Sequence, residues 1–363
     1  MKRRTWFILL FLLIWIRIMS AQKLNSILVD AQNGLPVADA FIFFANSSLG
    51  TNSYPNGFFE IDQIDNPEPV LIISHLNYLA KNLDLTGISN LPDTILLQPN
   101  NIMLEEVLVG SRSTPRIRKK RMNDFIKAFI GDNKGQVTIE NPEDLLLWES
   151  EDTLIVQASN PLYITNELLG YNLYYLLEDF RLYPNEDVKF EGQAFFQEIE
   201  SKGRRRARYR KNRFQAYRDS KEFFFYNLVN DQLDTTRYKV GYSRRLPDRS
   251  FELFEEFKSG QLIREEDSSS VIPCNYFFTV VDKSQRLANI LPKTNMPGTF
   301  AEIRPTAIRY QTSYLRSQSG AIRLNRQGVI LNQQDIEEFG YWSTVRTSAL
   351  LPHDYKPPAF NND

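Results

Sequence analysis

The chain has very little histidine and cysteine: two His and one Cys in 363 residues. His75 and His353 stand far apart, and no His-x-x-Glu, His-Glu-x-x-His or clustered Cys/His pattern occurs. That excludes the usual zinc peptidases, whose metal needs several such ligands. A Ser-His-Asp triad would have to use one of those two histidines, and no Gly-x-Ser-x-Gly elbow accompanies them. Walker-type and dinucleotide glycine loops are missing too. A lone Cys274 excludes an intrachain disulfide and lies far from any lipoprotein acylation position, so it reads as a small buried apolar residue. Charge of one sign is also lacking. With 43 Lys+Arg against 44 Asp+Glu, no global field draws the chain to nucleic acid. Beyond the N-terminus no apolar run is long enough to cross a bilayer as a helix, so none is expected in the mature chain.

The N-terminal residues carry what the rest lacks. Lys2, Arg3 and Arg4 precede the apolar run Trp6 to Ile16, and Ser20-Ala21-Gln22 follows. This is the layout of a secretory signal peptide over residues 1–21, with cleavage after Ala21. The run is short for a membrane span. Arg17 and Met19 fit a cleavage site poorly, which leaves an uncleaved anchor as the alternative. The expectation is an exported protein, periplasmic or outer-membrane associated. The 25 Phe and 17 Tyr argue for a folded chain.

Residues 22–110 read as short strands between turn formers. Asn33-Gly34 is a turn dipeptide, Pro36 suits the start of a strand, and Ala40 to Phe44 is a β-branched and aromatic run. Gly50-Thr51 and Asn56-Gly57 punctuate the return to Phe58, Phe59 and Ile61. Leu24 to Val29, Val70 to His75, Thr94 to Leu97 and Glu106 to Val109 repeat the pattern. This spacing predicts a small antiparallel sandwich. Pro36-Val37, Gly50-Thr51, Asn56-Gly57-Phe58 and Ser74 through Tyr78, closed by Leu104-Glu105-Glu106-Val107-Leu108-Val109-Gly110, resemble the carboxypeptidase-regulatory-like domain, a transthyretin-like β-sandwich. Asn77 stands where that family usually has Gly, and Asn is the next-best residue for a left-handed turn. The resemblance implies no catalytic residues, because these domains accompany peptidases without being peptidases.

Residues 111–124 form a basic linker that runs into a helix, with Met122, Phe125, Ile126, Phe129 and Ile130 at helical spacing and Gly131 as its stop. Residues 125–356 read as a larger β-rich domain with a few helices, and 357–363 as a tail. Strands are expected at Leu145 to Trp148, Thr153 to Ala158, Pro161 to Ile164, Leu169 to Leu176 (apolar on both faces, hence central) and Val188 to Ile199. More follow at Tyr238 to Tyr242, Phe251 to Phe257, Tyr276 to Val281 and Ala301 to Tyr310. A hairpin joins Ala321 to Leu324 with Val329 to Leu331, and Tyr341 to Leu350 reads as a short helix before Pro352. The fold class is therefore mainly β, α+β overall. Phe125 to Gly131, Asn141-Pro142, Leu168-Leu169-Gly170-Tyr171, Lys211-Asn212-Arg213 with Ala216-Tyr217, and Leu350 to Tyr355 resemble a family of secreted bacterial proteins that pair this sandwich with a second domain. That resemblance implies no activity and no site.

The most basic stretch is the candidate site. Arg204, Arg205, Arg206, Arg208, Arg210, Lys211 and Arg213 point to an anion- or partner-binding helix, for phosphate headgroups, lipopolysaccharide or another envelope protein. Nucleic acid fits less well, since an exported chain with no recognition motif does not meet it. The competing reading is a solvated helix whose arginines pair with acids such as Glu178, Asp179, Glu186 and Asp187. Phe214, Tyr217, Phe224 and Leu228 continue the stretch as an apolar stripe. The carboxylate doublets Glu255-Glu256, Glu265-Glu266 and Glu337-Glu338 read as solvated surface, because strand neighbours face opposite ways. The His353-Asp354-Tyr355 trio, flanked by Leu350, Leu351 and Pro352, reads as a docking segment that closes the second domain. No cofactor, metal or catalytic residue is expected. The reading is a non-enzymatic envelope protein with a binding or assembly role. Its alternatives are a lipid or glycan carrier with a cavity lined by Tyr171, Tyr175, Phe195 and Phe224, and a hydrolase with an unrecognised carboxylate site.

Overall fold

The structure, a computed structural model, describes residues 23–63, 69–100, 114–131, 135–184, 188–247, 250–257, 263–266, 269–286 and 310–357. The leader, the Leu104 to Gly110 motif, residues 301–309 of one expected strand and 358–363 of the tail lie outside the described residues. The fold is mainly β, with three α-helices among the described residues. The chain divides into two compact units, Met1–Met103 and Leu104–Asp363.

The first unit holds β1 (Lys23–Asp30), β2 (Phe41–Phe44), β3 (Gly50–Asn52), β4 (Phe58–Asp62), β5 (Val70–His75), β6 (Tyr78–Asp84) and β7 (Thr94–Leu97). β1 alternates strictly, sending Leu24, Ser26 and Leu28 inward and Lys23, Asn25 and Ile27 outward, the signature of a strand with one wet face. Two sheets, β4-β1-β7 and β3-β2-β5-β6, enclose a core that includes Leu28, Ile42, Phe44, Phe59, Leu71 and Ile95. The result is a sandwich, but not an all-antiparallel one: β1 and β7 pair in parallel. Gly50-Thr51 lies within a strand rather than a turn, and β6 is a strand that polar Lys81, Asn82 and Asp84 conceal from hydropathy. Gly57 has φ +76°, and a Cβ there would run into the carbonyl of Leu28, so the Asn56-Gly57 turn requires glycine. His75 serves this turn-rich scaffold. Its Nδ1 accepts the backbone N–H of Asn77, and its ring meets Tyr78 edge-on at 5.1 Å.

The second unit begins with α1 (Pro115–Ile130), which Thr114 caps by accepting the N–H of Ile117. Pro at the first helical position suits the start. The helix therefore opens well before Met122, and most of the expected basic linker is its first half. β8 (Val137–Ile139), β9 (Leu145–Ser150), β10 (Thr153–Ala158), β11 (Leu162–Asn166), β12 (Tyr171–Leu182) and β13 (Val188–Glu198) form one sheet ordered β8-β11-β12-β10-β9, with β13 on the other edge of β12. Glu151 and Asp152 both take positive φ, which gives β9-β10 a two-residue hairpin. β12 is central as expected, but it starts at Tyr171. Leu169-Gly170 is the turn before it, with Gly170 at φ +73°. Phe125 and Phe129 of α1 stack at 5.0 Å and meet Phe180 edge-on, so the helix covers the sheet with aromatic rings.

Next come α2 (Gly203–Arg218) and α3 (Lys221–Val229), separated at Asp219-Ser220, where Ser220 caps α3 by accepting the N–H of Phe223. The expected continuous stripe from Phe214 to Leu228 is therefore broken between two helices. β14 (Tyr238–Arg245), β15 (Phe251–Phe257), β16 (Arg264–Glu266), β17 (Ser269–Pro273), β18 (Phe277–Arg286), β19 (Tyr310–Ser317), β20 (Ala321–Leu324) and β21 (Ile336–Gly340) follow. They build a five-stranded sheet, β15-β14-β18-β19-β21, and a short one, β16-β17-β20. Phe224 and Phe225 of α3 sink into this second core with Phe278, Leu315 and Trp342. Of the strand expected from Ala301 to Tyr310, only Tyr310 lies among the described residues, and it belongs to β19. Tyr341 to Leu350 is two 3-10 turns, Trp342–Thr344 and Thr347–Ala349, rather than one helix. Trp342 packs in the second core and Leu350 and Leu351 against the first, so this segment does dock across the unit. Cys274 is buried, as its isolation suggested.

Candidate functional site

The candidate site is α2, a helix of sixteen residues without one acid. Nothing in its own sequence favours it. Arg204, Arg205 and Arg206 sit at the positive end of the helix dipole, and Arg204/Arg208 and Arg206/Arg210 are like charges at i, i+4. Lys202 provides no side-chain cap. The helix is held instead from its inner face. Tyr209 is buried, and its hydroxyl donates to Glu167 Oε2 at 2.5 Å. Arg205 donates to that hydroxyl at 2.7 Å and to Glu167 Oε1 at 2.5 Å. Asn212 donates to the Leu168 carbonyl at 2.8 Å. Arg213, 6 % exposed, donates through Nε to Leu169 O at 2.6 Å and through Nη2 to Gly170 O at 2.7 Å, and pairs through Nη1 with Glu198 at 2.7 Å. Hydrogen bonds from Tyr209 and then Arg205 hold the Glu167 carboxyl below its ordinary range.

The seven predicted residues therefore split. Arg205 and Arg213 are committed to the fold. Arg204, Arg206, Arg208, Arg210 and Lys211 are exposed, and none has a carboxylate within ion-pair distance among the described residues. Arg208 lies over the Tyr209 ring at 5.5 Å. At 3.6 residues per turn, Arg204, Arg208 and Lys211 fall within about 60° of one another, with Arg206 and Arg210 about 100–160° away on the far flank of the outward side. Of the acids expected to neutralise this helix, Glu178 and Asp179 make no ion pair with it among the described residues. Asp179 pairs with Arg181 of its own strand, and Glu186 and Asp187 lie outside the described residues. The acids that do engage it, Glu167 and Glu198, belong to the turn before β12 and the end of β13, which no sequence spacing connects to α2.

The segments behind the second resemblance meet around this anchor. Leu168, Leu169 and Gly170 offer the carbonyls that Asn212 and Arg213 bind, and the Arg213 guanidinium stacks on Tyr171 at 3.9 Å. Tyr217 meets Tyr355 of the C-terminal segment at 5.8 Å. These residues make a structural knot, and their chemistry is spent on holding it.

Other candidate chemistry does not assemble. Glu256 pairs with Lys239 at 2.7 Å, Glu338 with Lys221, and Glu255 is exposed, while the side chains of Glu265 and Glu266 lie outside the described residues. His353 is exposed beside buried Pro352. The rings suggested for a carrier cavity are dispersed: Tyr171 and Tyr175 are in the first core, Phe224 is in the second, and Phe195 alternates with buried Ala194 and Phe196. A buried triad unseen in the sequence joins the α2–α3 junction to the five-stranded sheet. Arg237 donates to Asp282 at 2.5 and 3.0 Å and to Asp219 at 3.2 Å, and burial pushes the Asp219 carboxyl up. The adjoining crevice, lined by Asp219, Tyr238, Asp282, Gln311, Tyr341 and Trp342, has a cavity volume of ≈ 10 Å³, room for about one water and not for a ligand. Among the described residues no helix is long and apolar enough to cross a membrane.

No family model matches the chain, and no curated protein matches it. Among solved structures, a C-terminal interface mutant of a type II cohesin–X-dockerin complex from Acetivibrio cellulolyticus is similar at 14% identity, over 26% of this chain and 78% of that one, with a TM-score of 0.20. An N-terminal interface mutant of that complex gives 17% identity over the same shares, with a TM-score of 0.19. A 9R-lipoxygenase from Cyanothece PCC8801 gives 10% identity over 59% of this chain and 49% of that one, at 0.15. At these scores none carries an argument about this chain.

Proposed function

We propose that the protein is a non-enzymatic, exported cell-envelope component whose first unit is a carboxypeptidase-regulatory-like sandwich and whose second unit binds an anionic partner through α2. One observation carries the binding role: five exposed cations on α2 lack an acid partner among the described residues. Each like-charge pair costs about 0.2–0.5 kcal/mol, and each cation at the positive helix end about 0.3–1 kcal/mol. Such local conflicts concentrate at functional sites, where a ligand relieves them. The leader sequence supports export.

The test uses the purified chain on immobilised inorganic polyphosphate. Wild type elutes at higher salt than the Arg204→Gln, Arg208→Gln, Lys211→Gln variant, since each lost contact lowers the salt slope. Equal elution, matched by equal behaviour of the two proteins on an anionic lipid surface, overturns the binding role. The mass of the chain recovered from the envelope reads the leader. A first residue of Gln22 is the expected result, and an intact Met1 makes residues 1–21 an anchor.

A further inference from the structure

The ligand class follows from how the free cations are spread. This inference rests on α2 being a binding helix and adds what it binds. Six of the seven predicted residues are arginine, the side chain that grips phosphate in a planar, bidentate fork. The five exposed cations do not follow one line. They fan over about 200° of the helix circumference, which is its whole outward side. A linear polyanion would engage one stripe and leave the other flank in water. A flat array of laterally mobile phosphates engages both, because long side chains from either flank reach down to the plane.

Two further features point the same way. Tyr209, the ring on the arginine-rich stretch, is turned inward and buried, so that stretch presents no stacking platform for the bases of a single-stranded nucleic acid. Between Arg204 and Lys211 the exposed side carries no large apolar residue, Ala207 being the one apolar residue there that faces outward; further along, half-buried Phe214 lies under the Arg218 guanidinium. Contact with lipid would therefore be electrostatic and peripheral, without the insertion of an amphipathic helix. The anchors at Glu167, Leu169 and Gly170 hold α2 in place, so the helix itself needs no ordering on contact and only its side chains do.

We infer that α2 docks the protein on an anionic lipid surface by binding phosphate headgroups with Arg204, Arg206, Arg208, Arg210 and Lys211. The test is co-sedimentation of the full chain with phosphatidylcholine vesicles, with and without phosphatidylglycerol. Wild type is expected to sediment only with the anionic vesicles and to be released by salt as the Debye length shrinks. At about 1 kcal/mol per cation, Arg204→Gln, Arg208→Gln, Lys211→Gln should lower partition about a hundredfold. A control that removes three exposed cations of α1, Arg116→Gln, Lys119→Gln, Lys120→Gln, should leave it within a few-fold. Equal loss in the control overturns the assignment to α2. Binding to soluble polyphosphate through the same residues, with no sedimentation on anionic vesicles, overturns the lipid inference and leaves the binding role standing. Failure to bind either removes both.

Discussion

The guanidinium carbon of Arg213 sits 3.9 Å from the centre of the Tyr171 ring, with two of its nitrogens on the carbonyls of Leu169 and Gly170. One side chain thereby ends the turn before β12, supports the ring that opens it and fixes α2. Its partner Glu198 is well exposed at 67 %, so the ion pair itself contributes little. The carbonyls decide the cost of losing it. Arg213→Met leaves the buried Leu169 carbonyl unpaired, at about 1–3 kcal/mol, while the Gly170 carbonyl keeps the N–H of Ile199. We expect destabilisation of about 1–3 kcal/mol, measured by urea unfolding. Arg213→Lys keeps the charge but not the planar fork that reaches both carbonyls and stacks on Tyr171, and should recover only part of the loss. Full recovery by Lys would show that charge, not the fork, matters.

Gly170 lies on the other side of the same contact. It has φ +73°, and a Cβ there would run into the Tyr209 ring, which the Glu167 hydrogen bond prevents from moving. Gly203 also has a positive φ, +55°, but nothing lies near its missing Cβ. Gly203→Ala should cost about 1 kcal/mol for the backbone alone. Gly170→Ala adds overpacking, for a total of about 2–5 kcal/mol. Similar unfolding midpoints for the two variants would refute the clash.

The strands were legible wherever β-branched and aromatic residues lay between turn formers, as at Thr153 to Ala158 and Phe251 to Phe257, which the structure reproduces to the residue. β6 was not, because Asn82 and Asp84 face water while half-buried Lys81 interrupts the face it shares with Leu83. The basic helix was visible in composition, but its partition was not. Whether Arg213 is buried or free depends on Glu198 and the Leu169 carbonyl, which only the β12–β13 pairing brings close. The Arg237 triad was silent for the same reason: Asp219 and Asp282 belong to a helix end and a distant strand.

Glu167 makes the anchor sensitive to acid. Its folded carboxyl titrates below the unfolded value because Tyr209 and Arg205 donate to its charged form. A depressed carboxyl adds stability above its unfolded pKa, about 4.3, and loses it as pH falls through the folded value. The group is 40 % exposed, so solvent screening keeps the contribution under about 1 kcal/mol. Glu167→Gln should therefore be less stable than wild type at pH 7, and the gap should narrow by pH 3. A gap that stays constant between the two would assign the effect to packing rather than charge.

Cys274 gives a direct reading of how tightly the second core closes. It is 2 % exposed, and its thiol faces the carbonyls of Tyr276 at 3.3 Å and Leu315 at 3.6 Å. Burial pushes the thiol above its ordinary range, so the reactive thiolate is scarce as well as hidden. An aromatic disulfide reagent at pH 8 should leave the native chain unlabelled for as long as the core stays shut, and should take up one equivalent in guanidinium. Because β17 and β18 flank the residue, slow native labelling must pass through opening of that core. Its rate then follows the equilibrium population of the open form when reclosing is fast. Labelling in denaturant concentrations below the transition should accelerate in step with the loss of stability. Immediate labelling of the native chain would place the thiol at the surface and contradict the packing of Phe278, Leu315 and Trp342 around it.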